Sequence, residues 1–256
     1  MVKVVYAILA ILMGGSLFLT VGGFNIAEIF NSNSGSTADV AKPYEEEAER
    51  IEAKLEAKPE DPDLLLRLTR AQINAGNNLV DIEDNGQRAA TPESTQQYLR
   101  AYQSWSDYLE ATKEPSANLA LVVAPMMFQL AEVSRTYSEA STRIQAAADA
   151  QRIVAEQRPS VNSWTTLALY TYYTGDTAAA EKAADEAKKF VNNKSETQTI
   201  DQQLEPVEKS AQQFLKRKAN AEKAEKTAGG AGGGTGTTPE NLENPFGGLS
   251  GGGVSE

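Results

Sequence analysis

The amino-acid sequence predicts an all-α protein built from helical hairpins, and three observations carry that expectation. No segment alternates apolar and polar residues for long enough to line one face of a sheet. Trp164, Leu167, Ala168 and Thr171 fall at the i, i+3, i+4, i+7 spacing of one helix face. Leu65, Leu68, Thr69 and Gly76 repeat the placing of Trp164, Leu167, Ala168 and Gly175 at one constant offset, so the same pattern is written twice.

Taken in chain order, the first element is the uncharged run "VVYAILAILMGGSLFLTVGGFNIA", residues 4–27. A helix needs roughly 20 apolar residues to cross a hydrocarbon core, so this run predicts a transmembrane anchor. It exceeds the apolar region of a cleaved signal peptide, and Asn25-Ile26-Ala27 carries Asn where a small residue is required for cleavage. Lys3 on one flank faces Glu28, Asp39 and Glu45 to Glu47 on the other. Positive charge stays in the cytoplasm, which places the rest of the chain outside the cell membrane. Residues 28–43 read as a flexible stalk, since from Asn31 to Pro43 they are small and polar without an apolar period.

Residues 44–226 are expected to form the helical domain. Tyr44, Ala48, Ile51 and Leu55 share a face and predict a capping helix. "DPDLLLRLTRAQINAGN" follows, with Asp61 as N-cap and Pro62 at the first helical position. Its partner helix is postponed by an insertion, Asn77 to Thr91. The Thr91-Pro92 start then opens a helix carrying Ala101, Trp105 and Tyr108. A middle pair has Ala120, Val123, Ala124 and Met127 on one face and Ala147, Val154 and Pro159 on the next, with Pro125 predicting a kink.

In the last pair, Gly175-Asp176 breaks the chain between two helices, and the second buries Ala180, Ala183, Ala184 and Ala187. Alanines allow close approach, and Trp164 is expected to fill the wedge that opens at the other end. Ile200, Leu204, Val207, Ala211, Phe214 and Leu215 predict a long closing helix, interrupted at Pro206. Residues 227–256 are glycine-rich and predict a disordered tail, in which Leu242, Pro245, Phe246 and Leu249 make a small apolar island.

The spacing around Trp164 resembles the tetratricopeptide repeat, a helix–turn–helix unit of about 34 residues. Trp164, Leu167, Ala168, Gly175, Ala180 and Ala187 sit on pattern positions, Thr171 replaces the usual Tyr, Ala184 the usual Phe, and no Pro closes the unit. The resemblance implies a solenoid of about three degenerate repeats with polar-faced capping helices, and a binding role toward proteins or peptides. Anchor, stalk, array and tail together resemble bacterial single-pass envelope proteins built around such repeats.

Composition narrows the chemistry. The chain has no cysteine and no histidine, which removes thiol nucleophiles, Cys/His zinc sites, Ser-His dyads and the commonest general base. Carboxylates, Lys and Tyr remain, without a catalytic spacing. The formal charge of −11 opposes nucleic-acid binding. The reading is therefore a membrane-tethered, non-enzymatic scaffold or chaperone-like adaptor for a protein or peptide, with no cofactor, metal or small-molecule substrate expected. Its rivals are a carboxylate-based secreted or glycan-active enzyme and a purely structural envelope spacer.

Two places are expected to make contacts. One is the concave face of the repeats, with Arg67, Arg70, Gln72 and Asn74 from one unit and Thr171 and Tyr172 from another. The second is the insertion, with Asp81, Glu83 and Asp84. Asp81 to Gly86 echoes the start of a calcium loop, but its twelfth position is Pro92 where a bidentate Glu belongs, so it reads as a solvated acidic turn. Phe246 in the tail is a further contact candidate, as part of a docking motif.

Overall fold

A computed structural model describes residues 37–82 and 88–228. The predicted anchor at 4–27, most of the stalk and the tail lie outside the described residues, as do Glu83, Asp84 and Phe246. Among the described residues there are eight helices and one pair of two-residue strands. No helix among them is long and apolar enough to cross a membrane. The chain divides into two compact units, Met1–Lys113 and Glu114–Glu256.

In the first unit, helix α1 spans Thr37–Leu55. It begins earlier than expected, so the segment from Thr37 to Pro43 belongs to a helix and not to a stalk. Ala41 is fully buried there, which anchors the turn that a polar composition alone would leave unstructured. Pro43 removes only one hydrogen bond at this early position in the helix. Ala48 and Ile51 of α1 pack with Leu68 and Ala71, flanked by Leu55 and Leu64, as the shared face predicts.

Helix α2 spans Pro62–Asn78. The Asp61 carboxylate accepts from the backbone N–H groups of Asp63 and Leu64, both at 3.1 Å. Helix α3 spans Pro92–Ala111, and Thr91 and Ser94 close a reciprocal capping box at 3.0 and 2.9 Å. α2 packs against both α1 and α3. Gly76, which holds the pattern position of Gly175, lies inside α2. Its role is close approach: a Cβ there would stand 2.5 Å from Cε1 of the buried Tyr98 ring. Gly76→Ala should cost about 1–3 kcal/mol by overpacking, read as a lower urea midpoint, although alanine is the better helix former.

The insertion is not a plain loop. Strand β1 (Asp81–Ile82) pairs antiparallel with β2 (Arg88–Ala89), Asp81 opposite Ala89 and Ile82 opposite Arg88. These strands are too short to show period-two alternation, so the hairpin escaped the sequence pattern. At its base the Thr91 hydroxyl donates to the Leu79 carbonyl at 2.7 Å, and Val80 is buried beneath.

In the second unit, α4 (Ala117–Glu132), α5 (Tyr137–Gln157), α6 (Val161–Thr174) and α7 (Thr177–Lys188) each pack on the next. The long α8 (Lys194–Ala228) lies against α6 and α7. Ala120, Val123, Ala124 and Met127 of α4 are all fully buried, and Pro125 between them faces outward. The end of α4 is fixed by Arg143, whose Nη1 donates at 2.8 Å both to the Leu130 carbonyl and to the Ser134 hydroxyl. This supplies partners at a helix end that lacks an intrahelical donor.

Gly175 takes φ +92°, the left-handed cap predicted for it, and the Asp176 carboxylate accepts from Ala179 N at 2.9 Å to start α7. Ala180, Ala183, Ala184 and Ala187 are buried in one cluster with Leu167 and Ala168. Trp164 packs on the margin of that cluster, half-buried, with its indole nitrogen enclosed and unpartnered. It therefore borders the core and does not fill it. Tyr137, Tyr173 and Phe214 do the filling: Phe214 lies 5.6 Å from the Tyr137 ring and 6.0 Å from the Tyr173 ring. α8 runs unbroken through Pro206, contrary to the expected interruption. The buried Leu204 and Val207 flank the proline and hold both halves to one surface, against an intrinsic cost of about 3 kcal/mol.

Candidate functional site

A cavity of about 190 Å³ opens in the first unit, lined by Glu45, Ala48, Glu49 and Glu52 of α1, Gln72 of α2, and Gln97 and Arg100 of α3. The four α1 residues follow the i, i+3, i+4, i+7 rule and so stand in one row along the helix. Gln97 and Arg100, three apart, do the same on α3. The packing of α1 and α3 against α2 brings both rows to one space.

Two amides are fixed in the wall of this cavity. Gln97 Nε2 donates to Glu45 Oε1 at 3.1 Å. Gln72, itself buried, donates through Nε2 to Glu52 Oε1 at 3.4 Å and accepts through Oε1 from the Ser104 hydroxyl at 2.8 Å. Such a wall presents oriented polar groups without leaving a buried amide unsatisfied. Three carboxylates against one guanidinium give the space a negative field. Among the described residues, Glu49 and Arg100 are both exposed and engaged in no ion pair. Nearby, Arg67 meets Glu47 at 2.6 Å, and this hydrogen bond, with the charges of Arg67, Arg50 and Lys54, lowers the Glu47 carboxyl below its ordinary range.

Among the described residues expected to make contacts, Gln72 alone lines the cavity. Arg67 is exposed and paired with Glu47, and Arg70 is exposed on the same helix. Asn74 is half-buried, its carbonyl accepting from Asn78 Nδ2 at 2.8 Å. Asp81 is exposed on β1, apart from the cavity lining. Thr171 and Tyr172 are corrected outright: both are buried in the second unit, so neither stands on an open face. The residues that sequence reasoning missed are Glu45, Glu49, Glu52, Gln97 and Arg100. Their signal was present in α1, where the carboxylates run beside the apolar stripe of Ala48 and Ile51.

The second unit holds titratable groups of another kind. Burial raises the Tyr173 phenol to about 12, partly opposed by a hydrogen bond with Ser210 and reinforced by the Glu132 charge. Tyr170 is pushed higher still, again by burial first and Glu132 second. An acid whose folded pKa lies above its unfolded value of about 10 stabilises the fold below pH 10 and loses that contribution as pH rises toward 12. For Tyr173 alone this is on the order of 2–3 kcal/mol. An absorbance titration at ~295 nm should show Tyr170 and Tyr173 ionising well above pH 10 and together with loss of helical circular dichroism. Ionisation of all tyrosines near pH 10 with the helices intact would contradict their burial.

Among the described residues, no three His, Cys, Asp or Glu side chains are grouped to hold a metal ion. None of the protein-family models, curated proteins or solved structures compared with this chain matches it.

Proposed function

We propose that the chain is a non-enzymatic binding scaffold of the tetratricopeptide type, which takes a protein or peptide segment between α1, α2 and α3. The observation that carries this reading is the cavity itself, walled by side chains from all three helices and holding two fixed amides. Amide side chains bind peptide backbone by donating and accepting at once, and the surplus of carboxylates favours a segment bearing Lys or Arg. The apolar run at residues 4–27 supports a tether that holds the scaffold at the outer face of the cell membrane.

A photo-crosslinking residue at position 100 tests the proposal in intact cells, with one at the exposed Arg152 of α5 as control. A reproducible adduct is expected from position 100 alone. It should fall at least about tenfold, the equivalent of roughly 1.4 kcal/mol, when Glu49→Lys reverses the charge beside it. Equal adducts from both positions, or an adduct insensitive to Glu49→Lys in a folded chain, would overturn the groove as the contact.

A further inference from the structure

We draw no further inference here: the strongest candidate, the polar cavity between α1, α2 and α3, belongs to the site already described, and beyond its row of carboxylates nothing in it points to a particular ligand.

Discussion

Replacing Trp105 by alanine should destabilise the first unit by about 3–5 kcal/mol, the range for deleting a large aromatic from a closed core. Trp105 is 2% exposed, and its ring centroid lies 5.5 Å from that of Tyr108 one turn along α3. Truncation removes the contact with Tyr108 and opens a void between packed helices, which relax only in part. Trp164→Ala is the informative control. That side chain is half-buried and its enclosed indole N–H lacks an acceptor, so its deletion relieves a desolvated donor while losing apolar contact. Urea melts of the two variants should therefore separate clearly, with Trp105→Ala the more damaged. Equal loss would show that the margin of the second unit is packed as tightly as the centre of the first.

Phe214→Ala should cost a similar ~3–5 kcal/mol, felt at α8. Phe214 is 1% exposed and joins Tyr137 of α5 and Tyr173 of α6 to the closing helix. Ile200, Leu204, Val207 and Ala211 continue the same stripe, so losing the largest member weakens one end of a continuous seam. Hydrogen exchange should show the amides of α8 beyond Pro206 losing protection first, because Phe214 is the large buried side chain that holds that half of the helix. Phe190→Ala, 45% exposed, should stay within about 0.5 kcal/mol of the parent. Uniform loss of protection across α4 to α8 in Phe214→Ala would mean that the seam unfolds with the whole unit.

The helices were largely legible because their signals are local. Asp61-Pro62, Thr91-Pro92 and Gly175-Asp176 each supply capping chemistry within a few residues, and each marks a helix boundary in the structure. The alanine face of α7 and the apolar stripe of α8 followed from spacing alone. What failed depended on contacts distant in sequence. Gly76 and Gly175 occupy equivalent places in the pattern, yet one admits the Tyr98 ring and the other turns the chain, a difference set by α3 and invisible within α2. Thr171 and Tyr172 were expected on a concave face, but both are buried, Tyr172 in the cluster that Leu204, Val207 and Phe214 of α8 complete. The site was the least legible part. Glu45 was read only as acidic charge flanking the anchor, and it is the approach of α3 that sets it with Glu49 and Glu52 opposite Gln97 and Arg100.

The clasp between the Thr91 hydroxyl and the Leu79 carbonyl has a practical corollary. It ties together the two ends of the insertion, so the hairpin leaves and rejoins the helices at one point. Since Leu79 caps α2 and Thr91 caps α3, one hydroxyl joins the end of one helix to the start of the next.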